Sequence, residues 1–433
     1  MRKYQQLLLI IISFISIVSL IQYRNEYLRL RYVLQVLNFF GAPNKLVDNN
    51  CISLNESFVN SENNFYKYSD PSPLWYNFEE HYLYSAFWEV KDVDTGKRAV
   101  KILAVGKESL FKNYQCRIWL DEGNTVKSKE GEFTYQIVSK SSSSEVFYYL
   151  YCEAPPLTDF DGSPHGVLLT SSTGLKRFVP IFDQPHDTDS IVACVKPDLT
   201  ALPKFNIVEF IIYYNIIGVQ DLIIYDAGLQ HTILHSIQAL AGHEGFPRSV
   251  SILPWNFPFQ DLELQDEVIR ADCLARSSDK STTLVLGWDE YLVPKMLPSL
   301  SGLIQGDTST KYETKTLVCC TEMNDDKAAE ITWPTPMRKT RCIPQGKKSV
   351  LYHHPNVRSP MKSEELPISS LSLHIYRVCD SEEKHVKFQY ERIMAKYLGQ
   401  MLTHKLMALW NSGALVKHHA LHLQGVNLSN MVS

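Results

Sequence analysis

Residues 204–228, KFNIVEFIIYYNIIGVQDLIIYDAG, decide the fold. The first part reads as a helix, because Phe205, Val208, Ile212 and Ile216 recur at spacings of three and four. Gly218 stands where a residue without a Cβ commonly closes a helix. DLIIYDAG then reads as a short apolar strand ending at an acid. Outward from this stretch the pattern repeats. SIVACVKPD (190–198) is an apolar strand before it, and a helix over Thr232–His243 with the strand SVSILPW (249–255) follows. A helix LELQDEVIRADCLARS (262–277) and the strand TTLVLGWDE (282–290) come next. Strands separated by helices of this length predict βαβ units, hence an α/β domain with a mostly parallel sheet and helices on both faces.

Ligands of such sheets sit beyond the carboxyl ends of the strands. Lys196, Asp198, Asp226, Asp289 and Glu290 all stand at such ends. Acids also end strands for a plainer reason, since turns are solvated and Asp accepts bonds from backbone N–H groups. The chain contains neither GxGxxG nor GxxxxGK[ST], which argues against a dinucleotide site or a P-loop. Without a glycine-rich cradle, phosphates must be neutralised otherwise. A divalent metal held by carboxylates does this economically.

The rest of the chain sets the context. With 433 residues, 45% of them hydrophobic, it has enough material for two domains and a sizeable core. A net charge of −4 without a long basic block argues against nucleic acid as partner. Between 74 and 186 strand signals dominate: YLYSAFWEV, RAVKILAV, YQCRIWL, GEFTYQIV, EVFYYLY and GVLLTSS, separated by turn residues. They predict a β-rich, sandwich-like module, a packing platform or a carbohydrate binder, with Cys116 and Cys152 placed to bridge its sheets.

Tyr4 to Tyr23 carries no formal charge, and Leu7 to Ile21 is strongly apolar. It reads as an uncleaved signal-anchor helix over 7–23, with a cytoplasmic tail at 1–6 and a polar stem at 24–73. The nine cysteines show no metal-knuckle spacing, and dispersed cysteines behind an anchor fit disulfides in an oxidising lumen. The odd count leaves at least one thiol outside the intrachain pairs. Sequons at Asn55 and Asn427 point the same way. The expected location is a Golgi or other secretory-pathway membrane, single-pass type II, with the body at 187–433 in the lumen.

The blocks FNIVEFIIYYNIIGVQDLIIYDAG, ILPWNFP, ADCLARS…LVLGWDEYLVP and SLHIYRV (372–378) resemble glycosyltransferase family 92 in order and spacing over about 190–379. The resemblance implies a GT-A, Rossmann-like domain, a UDP-sugar donor (usually UDP-galactose), Mn²⁺, and inverting transfer to a glycan acceptor. The family pattern Asp-x-Asp-Glu stands here as Gly287-Trp288-Asp289-Glu290, with glycine in place of the first acid. Asp289 is accordingly the first candidate metal ligand, and His374 a second, a hydrogen-bonded core histidine being its plainer reading. The missing acid also admits a catalytically inactive relative that binds glycans in the lumen.

Arg377 is a candidate for the diphosphate, or else an ion-pair partner of Asp380 or Glu382. Asp272 is a candidate for the donor sugar, although Asp272 and Arg276 also stand at the spacing of a helix ion pair. Lys196 and Asp198 are candidates for uracil and ribose, Asp226 for the donor more generally. Inversion requires a general base. Glu290 and Asp326 are the candidates, with Glu322, Asp325 and Glu330 in the same acidic segment as Asp326. His353 and His354 are adjacent on a strand and point to opposite faces, which argues against a shared metal.

Overall fold

Residues 76–182 fold into eight strands, seven of which close on themselves. The computed structural model describes residues 75–415 apart from 93–96, 123–124, 143, 155–162, 183–189, 199–201, 229–230, 278–281, 297–298, 303–309, 354–360, 382 and 384–385. All of these belong to one compact unit, Lys67–Ser433. The expected tail, anchor helix and stem, Cys51, both sequons and His354 lie outside the described residues. Among the described residues no helix is long and apolar enough to cross a membrane.

The first strands are β1 (Tyr76–Phe78), β2 (His81–Asp92), β3 (Lys97–Lys107) and β4 (Gln115–Glu122). They continue as β5 (Thr125–Lys140), β6 (Glu145–Glu153), β7 (Ser163–Thr170) and β8 (Lys176–Phe182). Their order is β1-β2-β3-β6-β5-β4-β7-β8, and β8 returns to β2 through parallel pairing of Ala86 with Ile181 and Phe87 with Phe182. The pairing of β2 with β3 shifts register between Leu83 and Ala86, where the other edge of β2 passes from β1 to β8. This closure overturns the expected sandwich. Alternation and turn spacing are the same in both architectures, and only a non-local pairing separates them. The Cys116–Cys152 disulfide forms, but within the barrel wall, between β4 and β6 and across β5. Gly131 of β5 lies beneath it, where an added Cβ would stand 2.4 Å from Cys152 Sγ.

The second sheet begins as a parallel ladder. Its strands are β9 (Ile191–Val195), β10 (Asp221–Asp226), β11 (Ser249–Pro254) and β12 (Thr282–Leu286), in the order β11-β10-β9-β12. Helices α1 (Lys204–Ile216), α2 (His231–Gln238) and α3 (Leu262–Arg276) connect them. Ala193, Val195, Leu284 and Leu286 pack with α1, while Cys194 and Val285 pack with α3. The buried strands thus present apolar residues to both faces. Gly218, at φ 102°, closes α1.

Beyond β12 the sheet changes character. It continues with β13 (Glu290–Pro294), β14 (Thr310–Cys320), β15 (Arg341–His353), β16 (Lys362–Glu365), β17 (Leu371–Arg377) and β18 (Gln389–Tyr390). β15 runs antiparallel to β12, β14 and β18, and β13 antiparallel to β17, whereas β14 is parallel to β16 and β17. The result is a ten-stranded mixed sheet, not the expected mostly parallel, Rossmann-like GT-A domain. The physical reason is connectivity. Parallel neighbours need crossover segments, usually helices. Between β14 and β15 the only α-helix is α4 (Thr335–Arg338), a single turn. Two disulfides, Cys319–Cys342 and Cys320–Cys379, tie this region. After it, α5 (Leu398–Thr403) and α6 (Lys405–Asn411) pack against α1.

The barrel is not a separate appendage. Phe87, Leu103, Val105 and Phe147 on its outer wall share a core with Val268, Ile269 and Cys273 of α3. Cys273 is also bonded to Cys194 of β9, so α3 is joined to the sheet on one side and packed on the barrel on the other.

Candidate functional site

The carboxyl edge of the parallel ladder ends in one well-held turn. Glu290 N donates to the Gly287 carbonyl at 3.1 Å, and Glu290 Oε2 accepts from Gly287 N at 2.8 Å. Tyr376 N donates to the Asp289 carbonyl at 2.8 Å, which binds the turn to β17. From α1, Tyr214 OH donates to the Glu290 carbonyl at 2.8 Å and accepts from Leu292 N at 2.9 Å. Trp288 is buried with its ring 5.0 Å from that of Phe210. An aromatic contact of this kind is worth about 1 kcal/mol beyond its burial. The turn is therefore fixed from α1 and β17 before any ligand arrives.

Asp289 is the exception within it. Among the described residues no donor of another residue bonds its carboxylate. Burial pushes the carboxyl above its ordinary value and Glu290 pushes it further, against the opposing pull of Lys348 and Arg377. Its Oδ1 folds back toward residue 287, where an added Cβ would lie 2.7 Å away. The glycine that replaces the expected first acid thus gives Asp289 its room. By contrast Glu290 is fully engaged: its second oxygen forms an ion pair with Lys348 of β15. With both oxygens taken, Glu290 is not placed to remove a proton from an acceptor, and its role is to hold the turn.

The other sequence candidates divide by environment. Lys196 joins the edge through its backbone N, which donates to the Leu286 carbonyl at 2.8 Å, and its ammonium pairs with Asp266 of α3. Asp198 accepts from Leu202 N at 2.8 Å, and Asp226 from Gly228 N at 2.8 Å, so each closes a turn at its strand end. Arg377 lies close enough for its charge to act on Asp289, but its guanidinium forks onto Glu383 at 2.7 and 3.0 Å. Glu383 thus takes the place expected of Asp380, and Glu382 lies outside the described residues.

Three candidates stand away from solvent or already satisfied. Asp272 is fully buried between barrel and sheet, accepting from Ser85 Oγ at 2.5 Å, Tyr225 OH at 2.7 Å and Arg276 Nε at 2.6 Å. It cannot reach a sugar. His374 is fully buried in β17 beside Ser372 Oγ (3.0 Å) and Tyr376 OH (3.4 Å), and burial lowers its pKa to about 3. It is a neutral core histidine. Asp326 is held by Arg392 and Thr340, and Arg392 foremost lowers its carboxyl to about 2, too weak a base to take an acceptor proton. Asp325 is likewise paired with Arg338 and Lys339.

A divalent cation fits Asp289 and little else. Mg²⁺-like ions are commonly held by one or two protein carboxylates, completed by substrate phosphates and water. An unpartnered carboxylate, destabilised by burial and a neighbouring acid, suits that role. Among the described residues the one tight group of three metal-type side chains is Cys320, Glu322 and Cys379. It is no metal site, because the two sulfurs are joined and both Glu322 oxygens accept from Cys379 N at 3.1 and 3.2 Å.

Sequence reasoning missed Lys348, Asp266 and Glu209. Lys348 and Asp266 lie on β15 and α3, and both complete the charges around Asp289 and Lys196. Only the pairing of β12 with β15 brings Lys348 there. Glu209 is buried on α1, its Oε1 accepting from Thr335 N at 2.8 Å and its Oε2 without a partner. Burial foremost raises its carboxyl to about 7.

The family model for glycosyltransferase family 92 matches residues 189–397, the span of the ten-stranded sheet, and excludes the barrel. No curated protein matches the chain.

Proposed function

We propose, from the match of residues 189–397 to glycosyltransferase family 92, that the turn 287–290 is the donor site of a sugar transferase. The single observation that carries this is the contrast inside one turn: both carboxylate oxygens of Glu290 are engaged, while among the described residues no donor of another residue bonds the carboxylate of Asp289. A rigid turn that exposes one destabilised carboxylate at a sheet's carboxyl edge is built to meet a cation. The donor is a UDP-sugar, UDP-galactose first, and the acceptor a glycan. Mn²⁺, when bound at Asp289, would supply Lewis-acid stabilisation of the departing diphosphate. The residues of the chain do the rest. Tyr376, Tyr214 and Trp288 hold the turn, and Gly287 admits the Asp289 carboxylate. Lys196 and Asp198 border the place for the nucleoside. The four disulfides among the described residues favour an oxidising lumen, which supports a secretory-pathway location.

The test is UDP release by the full chain from a panel of UDP-sugars with Mn²⁺. The expected result is turnover of UDP-galactose that rises with Mn²⁺ and falls by roughly 100-fold or more in Asp289→Asn. Gly287 favours one other outcome, a glycan-binding protein without turnover. Glycan retention in EDTA, unchanged by Asp289→Asn and with no donor consumed, would replace the enzymatic proposal.

A further inference from the structure

The side chain nearest in charge to this turn belongs to a distant strand. Lys348 ends in an ion pair with Glu290 Oε1, yet its side chain is 38% exposed where that of Glu290 is 7% exposed. One partner is buried and fixed, the other half open to solvent. The ammonium also lies in the field of Asp266 and Asp289. Asp266 is in turn paired with Lys196 at the end of β9. Two lysines and three acids therefore gather at the carboxyl edge, and among the described residues only the carboxylate of Asp289 takes no bond from another residue. The diphosphate of a nucleotide sugar adds two negative charges to that of Asp289, and one divalent cation offsets only two of the three. A lysine held by a flexible stem, half exposed and paired to a fixed acid, is the group able to turn toward it.

We propose that Lys348 is a donor-binding residue, which exchanges its ion pair with Glu290 for the diphosphate of the nucleotide sugar. This rests on the donor site proposed above. Glu290 then serves as the resting partner that keeps Lys348 aimed at the site and keeps the turn closed through Gly287 N. The competing structural role is simple: Lys348 would be only a strut that neutralises Glu290. The two roles differ in sign. For a strut, breaking the pair from either side loosens the turn and weakens binding alike. For a donor-binding group, loss of Lys348 weakens binding, while loss of the Glu290 charge frees the ammonium and strengthens it.

The experiment measures UDP binding to the full chain by calorimetry, with and without Mn²⁺, and inorganic pyrophosphate as the second probe. Lys348→Met is expected to weaken both probes by about tenfold to a hundredfold, the worth of a hydrogen bond to a charged group. Lys348→Arg keeps UDP binding within about threefold, because the charge and donors remain. Glu290→Gln still accepts from Gly287 N but releases the lysine, and is expected to tighten UDP without Mn²⁺ by about threefold. Near-equal weakening by Lys348→Met and Glu290→Gln would make Lys348 a strut and overturn the inference alone. Unchanged binding in Lys348→Met would also overturn it. If the wild-type chain binds neither UDP nor pyrophosphate under any condition, the donor site itself falls, and this inference with it.

Discussion

Two aspartates of this chain, seventeen positions apart in sequence, show opposite ways of placing a carboxylate. Asp272 lies in the seam between barrel and sheet and accepts from Ser85, Tyr225 and Arg276. Asp289 lies at the edge of the sheet, and among the described residues no donor of another residue bonds its carboxylate. The first is a fastener. Its partner Arg276 is itself buried and stacks its guanidinium 4.3 Å from the Phe182 ring of the barrel. Ser85 belongs to the barrel, Tyr225 to β10 and Arg276 to α3, so one carboxylate joins three parts of the fold. The second is the carboxylate that the proposed donor site offers to a cation. An acid at the carboxyl end of a strand is thus informative only together with what already satisfies it.

The sharpest way to break this comparison is to remove the fastener. Asp272→Ala leaves Arg276 buried without its counter-charge, and the expected cost is about 3–5 kcal/mol of stability. Urea unfolding of the full chain checks this, and a loss under about 1 kcal/mol would mean that the seam is held by packing alone. The barrel and the sheet should then also unfold as one transition in the wild type, since they share both a core and this network.

Glu209 extends the comparison to an acid half satisfied. One of its oxygens accepts from Thr335 N, the other has no partner, and the carboxyl is raised to about 7. A raised carboxyl favours folding while protonated. Its contribution is therefore fully present below the ordinary glutamate value and is lost as pH rises toward about 7. Glu209→Gln keeps the acceptor for Thr335 and removes that pH dependence. It is expected to stabilise the chain at pH 8 by roughly 1–3 kcal/mol and to leave it nearly unchanged at pH 4.5. Stability that rises equally at both pH values would show that charge is not the cause.

How much of this was legible before the structure depends on distance along the chain. The helix at 204–216 and the strands beside it follow from local period, and the turn 287–290 from its place after an apolar strand. The spacing of Asp272 and Arg276 announced an ion pair, but nothing in it told that the pair is buried. Barrel closure depends on Ala86 meeting Ile181, and the antiparallel half of the sheet on β12 meeting β15. Lys348 reaches Glu290 only through that second meeting. Period and turn chemistry carry no record of such pairings.

Asp289→Asn is the counterpart of the Asp272 variant, with the opposite sign. Removing a raised, unpartnered carboxylate is expected to stabilise the fold by about 1 kcal/mol at pH 8 while activity is lost. The gain should shrink as pH falls, because protonation already relieves the wild-type acid. A destabilised Asp289→Asn would mean that the carboxylate holds the turn, and the distinction between a fastener and a carboxylate left for a ligand would fail.

The smallest effect tests the glycine. In Gly287→Ala the added Cβ would stand 2.7 Å from Asp289 Oδ1, closer than real contacts allow. The carboxylate sits at the end of a short side chain and can yield, so the fold should lose no more than about 1 kcal/mol. What changes is where the carboxylate points. Metal-supported UDP binding is expected to weaken by about threefold to tenfold, since catalytic and binding groups tolerate only small displacements. Gly287→Asp, which restores the first acid, should do worse, because it adds a like charge beside an already raised carboxyl. If Gly287→Asp instead strengthens Mn²⁺-dependent UDP binding, the glycine is a lost ligand and not the room that Asp289 uses.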